Sequence, residues 1–234
     1  MLTIRERILQ SVHAQLSTLT ISNGYYTDVG STIIRGRPDA DPTDLPCTIL
    51  LPSGDLDIEP SYTGSTHQFD LNLVSFMKFR THNPGSESEK VLGDLITCLT
   101  ATRLTHSFTH GYRQPRLGQT LTGATSGSTC ILESLDVTAG TWDAHVALGT
   151  MNIRLPYEEL TPSEYLLNDG GEFVCIYSGT TTRIPPLSGL VNFIHYTSSI
   201  LPGYPEPGED VVKVSATFTI EYATLTGNPY QQGV

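Results

Sequence analysis

The sequence is short of positive charge. It sets 13 Lys and Arg against 24 Asp and Glu in 234 residues, a formal net charge of −11. The cations are scattered and never gather into a block. That excludes a nucleic-acid surface built on clustered phosphate contacts. An acidic wall that surrounds nucleic acid without holding it stays open, because it repels the backbone. Charged residues of both signs make up only 16%, beside 21 Gly and 15 Pro. This argues against a helical bundle and for a β-rich, loop-rich chain. Cysteine is sparse. Cys47, Cys98, Cys130 and Cys175 lie far apart, form no CxxC pair and each sit in an apolar stretch. They read as reduced, buried thiols serving as small hydrophobes. No apolar run approaches the ~18 residues of a membrane span. Met1–Gln10 carries Arg5, Glu6 and Arg7 with no apolar run after them, unlike a secretory leader. The expected place of synthesis is a cytoplasm, with no membrane partner.

What is present is alternation. In Ser65–Arg80, Phe69, Leu71, Leu73, Met77 and Phe79 share one parity, while Gln68, Asp70, Asn72 and Lys78 share the other. Side chains alternate across a strand, so this is a long strand with one face on a core. Ser75 interrupts the apolar face. Val74 and Phe76 make the second half apolar on both faces, which predicts cover on both sides. Val211–Tyr222 matches it: Val212, Val214, Ala216, Phe218, Ile220 and Tyr222 alternate with Lys213, Ser215, Thr217, Thr219 and Glu221. The two strands are expected in one sheet.

The rest is arranged around them. Residues 3–19 read as a helix, with a Thr3/Glu6 capping box and an apolar stripe of Ile4, Ile8, Val12 and Leu16. Asn23-Gly24 is a turn pair. A short strand through Ile33 and Ile34 ends at Arg35-Gly36-Arg37, then an acidic loop carries Asp39, Asp41 and Asp44. Cys47–Leu51 reads as a strand covered on both faces, and Asp55–Ser65 as a polar hairpin or loop. After the turn His82-Asn83-Pro84-Gly85, Ser86 and Glu89 suggest a second capping box. Val91, Leu92, Leu95, Ile96 and Leu99 then give a helix reaching about Arg103. The fold class is α+β: a mixed or antiparallel sheet with two amphipathic helices on one face, carrying a small β-rich insertion.

From Gly111 the texture turns to Thr, Gly and Ser. Gln119–Gly123, Thr129–Val137, Thr141–Leu148 and Glu172–Tyr177 are strand candidates between turn-forming stretches. Trp142, Ala144, Val146 and Leu148 alternate. Thr161-Pro162-Ser163-Glu164 suits a short helix over Leu160–Leu167. The expected division is 1–111 plus 186–234 as a core and 112–185 as the insertion. Leu190–Tyr196 returns to the main sheet, Pro202–Gly208 is a Pro-rich connection, and Thr226–Val234 is a polar, adaptable tail.

Few residues suggest chemistry. His106 and His110 are spaced as metal ligands on a helix would be, but no Glu follows the first, the stretch is Thr-rich and Gly111 ends it. Neither a G-x-S-x-G nor a phosphate-cradling Gly loop occurs. Asp39, Asp41 and Asp44 lack the Gly and terminal Glu of an EF-hand and read as a solvated loop. No catalytic group, cofactor or metal is assigned. Arg35 and Arg37 suit pairing with carboxylates of a neighbouring chain, such as Asp39, Asp41 or Asp44, which makes this turn a candidate assembly interface. Trp142, Tyr157, Tyr165 and Tyr177 offer a second possibility, stacking on sugars through 112–185, although a lone Trp on an alternating strand is more often core.

One family fits the order of pieces. They are the first helix, Gly24-Tyr25-Tyr26-Thr27-Asp28-Val29-Gly30, Arg35-Gly36-Arg37, Leu45-Pro46 before an apolar strand, and the strand from Phe69 to Phe79. Pro84-Gly85 follows before the second helix, then a C-terminal alternating strand closed by Glu221-Tyr222 and Gly227-Asn228-Pro229-Tyr230. This order resembles the tail terminator, or tail completion, proteins of tailed bacteriophages, over about 1–105 and 187–230. Residues 112–185 depart from the compact family pattern. The resemblance implies a non-enzymatic virion protein, assembled in the bacterial cytoplasm, that forms a hexameric ring at the head-proximal end of the tail. It implies contacts with the tail tube, with neck or connector proteins and, in some tails, the sheath. DNA would pass through the lumen without specific binding. The competing readings are another neck ring, such as a head-closure or adaptor protein, and a carbohydrate-binding virion protein.

Overall fold

The two alternating stretches do meet, in a computed structural model that describes residues 1–60, 64–78, 83–154, 159–200 and 210–233. In chain order the elements are α1 (Ile4–Leu16), β1 (Ile33–Arg35), β2 (Cys47–Pro52), β3 (Leu56–Pro60), β4 (Ser65–Lys78) and α2 (Pro84–Thr100). They continue with β5 (Arg103–Gly111), β6 (Thr120–Gly123), β7 (Thr129–Ala139), β8 (Ala147–Arg154), β9 (Tyr165–Leu167) and β10 (Phe173–Ile184). The last are β11 (Phe193–Ile200), β12 (Val211–Leu225) and β13 (Asn228–Gln232). The fold is α+β, with a mixed sheet in one compact unit and a closed barrel in the other. Phe79, Arg80, His82 and Pro202–Gly208, named above, lie outside the described residues.

The first unit comprises Met1–Thr20, Tyr26–Thr100 and Pro186–Val234. Its sheet runs β1-β2-β4-β12-β11, with β3 also on β4 and β13 also on β12. β12 pairs antiparallel with β4 from Val211↔Lys78 to Thr224↔Ser65 without a break. This register sets Phe218 opposite Leu71 and Ile220 opposite Phe69, and all four are buried. Ser75 keeps its place on that face because its hydroxyl meets the Thr48 hydroxyl at 2.8 Å, and Thr48 also donates to the Val29 carbonyl at 3.0 Å. A buried hydroxyl with partners avoids the cost of an orphan. The other parity carries a second cluster of Ile34, Cys47, Ile49 and Val74, so the expected cover on both faces is present. Further along, that parity turns polar: Thr219 donates to Asp70 at 2.8 Å and Ser215 to Asn72 at 2.8 Å.

Helix α1 starts as its sequence indicates, with the Thr3 hydroxyl accepting from Glu6 N at 3.1 Å, and buries Ile4, Ile8, Leu9, Val12 and Leu16. The chain then passes so close that a Cβ on Gly30 would lie 2.1 Å from the Leu16 carbonyl oxygen, which only glycine avoids. Helix α2 differs from expectation at both ends. Its cap is Asn83, whose Oδ1 accepts from Ser86 N at 3.2 Å, with Pro84 in the first turn. It stops at Thr100, and Arg103 already belongs to β5. Its buried Asp94 accepts from Tyr26 N at 3.0 Å and from the Thr27 hydroxyl at 2.7 Å, fixing the loop ahead of β1. α2 packs against α1, β11 and β12. The tail expected to be adaptable forms β13 instead, hairpinned onto β12.

The second unit comprises Ile21–Tyr25 and Ala101–Pro185. Its strands close in the order β10-β5-β8-β7-β6-β9, every pair antiparallel. Phe108, Leu121, Leu132, Met151, Ile153, Leu166 and Cys175 help fill the interior, and closure leaves the barrel no free edge. The division therefore falls differently from the expected 112–185. Arg103–Gly111 lies outside that range, yet it is a full barrel strand, bonded to β8 and β10. Ile21–Tyr25 belongs to the barrel for electrostatic and steric reasons. The Arg154 guanidinium lies 3.9 Å over the Tyr25 ring, and Arg154 also donates to the Gly24 carbonyl at 3.3 Å. Gly24 and Gly118, both at positive φ, touch backbone to backbone. Two other expectations fail here. Thr161–Glu164 is a turn closed by Glu164, and β9 follows where a helix was expected. The alternating Trp142–Val146 is also turn, with His145 at φ 58°.

The register makes opposite forecasts for adjacent residues of β12. Phe218 is fully buried and Thr217 half-buried. Phe218→Ala should cost ~3–5 kcal/mol and Thr217→Ala under about 1 kcal/mol, read by denaturant unfolding. Equal losses would contradict the register.

Candidate assembly surface

The residues expected at an assembly interface gather at the β1 end of the sheet, and each arginine has a partner in its own chain. Arg35 ends β1 and forks onto the first turn of α1: Nη1 donates to Glu6 Oε1 at 3.0 Å and Nη2 to Oε2 at 2.9 Å. This bidentate geometry is the strong form of an arginine–carboxylate pair. The hydrogen bond from Arg35 holds the Glu6 carboxyl below its usual range and raises the guanidinium in return. Glu6 also accepts from Gln10 at 3.3 Å, so its carboxylate serves the sheet edge and the helix surface.

Arg37 organises the acidic loop. Its Nη1 donates to Asp41 at 2.8 Å and its Nη2 to Asp44, while Asp41 N donates to Asp44 at 3.0 Å. The bond to Asp41, then the nearby carboxylates, raises the guanidinium above its usual range. The loop so held lays Ala40 and Leu45 on the second cluster of Ile34, Cys47, Ile49 and Val74. Arg37, Asp41 and Asp44 thus close a cover over apolar surface within one chain. Asp39 is exposed and makes no ion pair among the described residues. The expectation placed the arginines' partners on a neighbour. Within a single chain both guanidiniums are already engaged, and Asp39 is the member of the set without an ion pair among the described residues.

The other candidates fall apart geometrically. His106 and His110 lie on strand β5, not on a helix. His106 points into the barrel, where its Nδ1 meets the Thr181 hydroxyl at 3.1 Å and its ring meets Tyr177 edge-on at 4.5 Å. Burial pulls its pKa down to about 4, which keeps the imidazole neutral. His110 is exposed at φ 51°. Among the described residues no group of three or more His, Cys, Asp or Glu is placed to hold a metal ion. Burial pushes the Cys130 and Cys175 thiols up to about 12 and raises Cys47, so all three are protonated and inert at neutral pH. Glu164 is a structural carboxylate. Burial raises it, but the N–H groups of Ser126, Thr125 and Thr161 outweigh that and lower it overall.

The aromatic set proposed for sugars also divides. Trp142 is stacked on Phe108 at 5.3 Å as an outer layer of the barrel core. Tyr177 is buried and Tyr157 lies outside the described residues. Tyr165 stands out in solvent, beside rings the sequence did not single out. Tyr112 stacks on His145 at 3.9 Å, Phe173 lies 5.9 Å from Tyr112, and Tyr165 meets Phe173 edge-on at 5.3 Å. Tyr112 and Tyr165 are each about half exposed. They come from β9, β10 and the segments after β5 and before β8, so only barrel closure brings them together. Arg113 and Glu172 pair beside them at 2.6 Å. No protein-family model and no curated protein matches this chain.

The Arg37 clamp has a direct readout, because the cover it holds seals Cys47, which is fully buried. Arg37→Glu should speed labelling of Cys47 by a thiol reagent at least tenfold, with Cys98 labelled as slowly as before. Unchanged labelling at Cys47, read by peptide mass spectrometry, would show that the loop stays closed without the arginine.

Proposed function

We propose that the chain is a structural subunit of a tailed bacteriophage, a tail terminator that assembles as a hexameric ring at the head-proximal end of the tail. In that role it ends tail-tube polymerisation and gives the neck or connector proteins a docking surface, and DNA passes through its lumen. The observation that carries this reading is the β4–β12 ladder. Most of the pieces on which the family resemblance rests, from both ends of the sequence, close on each other as one α+β unit, while Gly24-Tyr25 and residues 101–105 belong to the barrel unit. In this reading both amphipathic helices cover one face of that sheet. The sheet also ends in two unlike strands, β1 and β11. Unlike edges favour heterologous, head-to-tail contacts, the kind that generate rings. The charge fits the role: an acidic lumen lets DNA slide because it does not bind the backbone. The activity is stoichiometric and interfacial, not enzymatic. Arg35, Arg37, Asp39, Asp41 and Asp44 then mark a subunit edge whose shape is set by internal pairs, with Asp39 free to meet a neighbour. Native mass spectrometry of the purified chain should give six times its 25.5 kDa mass, and the same sample should stop tube growth in vitro. A monomer at all accessible concentrations would overturn the reading.

A second reading concerns the barrel alone and rests on the exposed rings of Tyr112, His145 and Tyr165 around the half-buried Phe173. Aromatic faces beside an Arg–Glu pair suit neutral sugars, which present C–H faces and hydroxyls together. Electrophoresis through gels containing soluble glucans should then retard the wild-type chain, and Tyr112→Ala with Tyr165→Ala should abolish the retardation. Equal mobility of the two proteins would remove the sugar reading.

A further inference from the structure

Strand β11 ends the sheet, bonded on one side to β12. Its sequence, FIHYTSSI, holds no Pro, Asp, Glu, Lys or Arg. Ile200 is 75% exposed and Phe193 38%. Among the described residues nothing pairs with its outer edge. Such an edge offers unpaired N–H and C=O groups as a template for another strand, and folded proteins usually blunt it with charge, proline or shortness. The other outer strands of this sheet follow that rule. β1 is three residues long and ends in Arg35, β3 contains Asp57, Glu59 and Pro60, and β13 contains Pro229. β11 is the unguarded one, and it is eight residues long.

We infer that β11 is the joining edge of the ring and that it receives β1 of a second copy of this chain. The inference rests on the ring reading above. Two considerations select the occupant. Each copy carries −11, so copies repel wherever their acidic surfaces face each other. The uncharged run from Phe193 to Ile200 is an edge where a second copy approaches without that penalty. Strand direction supplies the other. β12 is antiparallel to both β11 and β4, so those two run the same way. β4 is antiparallel to β2, and β2 is parallel to β1. β1 therefore runs opposite to β11. Edge-to-edge addition carries the hydrogen-bond direction around the ring and leaves the strands along its axis. Cyclic symmetry keeps every copy pointing the same way. The incoming β1 then lies antiparallel to β11, the better pairing per residue. It brings the Arg35–Arg37 turn to the same joint, so the candidate assembly residues and the open edge become two sides of one contact. The short β1 limits each joint to a few hydrogen bonds, which suits a subunit that is soluble before it assembles.

The test compares wild type with Ser198→Pro, Ser199→Pro and Ile200→Lys by native mass spectrometry, sedimentation and thermal unfolding. Consecutive strand N–H groups point to opposite sides, so one proline removes a bond to β12 and the other removes an outward donor. The variant that melts like wild type is the informative one. It should need at least tenfold more protein to assemble, as should Ile200→Lys, which places a charge on the edge without touching the β12 ladder. A folded proline variant and an Ile200→Lys protein that both assemble like wild type would overturn the inference and leave the ring reading standing. A wild type that never assembles would fail both. A wild type that stops at two copies would indicate β11 pairing with itself and overturn the head-to-tail joint. Hydrogen exchange on the assembled wild type decides the partner strand: protection should rise at both Phe193–Ile200 and Ile33–Arg35, and a rise at the first alone would exclude β1.

Discussion

The ladder between β4 and β12 is the constraint on which the rest of the first unit depends. It joins a strand from the first third of the sequence to one near its end, so forming it means closing a very long loop. That entropy cost grows only slowly with loop length, which is why a whole barrel can sit between the partners. In return the ladder stacks Phe69, Leu71 and Leu73 against Ile220, Phe218 and Ala216. Every later decision in this unit refers to that surface. β2 is added on one side and β11 on the other. Ser75 becomes tolerable because the register brings Thr48 beside it. On the opposite parity the apolar residues end at Val74, and past them Asn72 and Asp70 take hydroxyl partners on β12. One strand thus serves an apolar core, a small second cluster and a polar strip.

The parts legible from sequence were those whose cause is local. Period-two alternation marks β4 and β12, and a four-residue stripe with Thr3 at its head marks α1. The parts missed depend on distant partners. β5 is Thr- and His-rich, and its local pattern assigned it to no element. Only pairing with β8 and β10 makes it a strand, with His106 and Phe108 turned inward. Trp142 to Val146 alternates in apolar character but is a turn, because Trp142 stacks on Phe108 and the chain reverses at His145. Glu164 looked like a helix-start residue, and it is one of sorts: its carboxylate collects backbone N–H groups, but those of a neighbouring turn as well as its own. The candidate site shows the same division. The sequence marked Arg35, Arg37 and their acids as a charged unit. It did not reveal that Glu6, on a different element, would be the partner of Arg35.

The barrel shows how a segment can belong to a unit remote from it in sequence. Ile21–Tyr25 is polar and short, with no pattern that ties it to β7 or β8. Its attachment is made by Arg154, a buried cation with the Tyr25 ring beneath it, the Gly24 carbonyl beside it and Glu133 3.9 Å away. Arg103 extends the same set, donating to Glu133 at 2.8 Å and to the Tyr25 hydroxyl at 3.4 Å. A buried guanidinium left without such company would be expensive. The ring, the carbonyl and the carboxylate together account for its position better than any one of them.

The contrast between the two units lies in their edges. The barrel has closed on itself, and what it offers to a partner is side-chain surface, chiefly the rings of Tyr112 and Tyr165. The sheet has stayed open, and what it offers is backbone. Backbone recognition is indifferent to sequence, so an open strand needs other features to choose its partner. Here the available features are direction and charge. Direction is written into the strand order, because one parallel pair, β1 with β2, leaves the outermost strands of the path antiparallel to each other. Had β1 been antiparallel to β2, the two ends would run the same way and a head-to-tail joint would be the weaker, parallel kind. The single parallel pair in an otherwise antiparallel sheet is therefore the feature that a head-to-tail joint between identical copies would exploit.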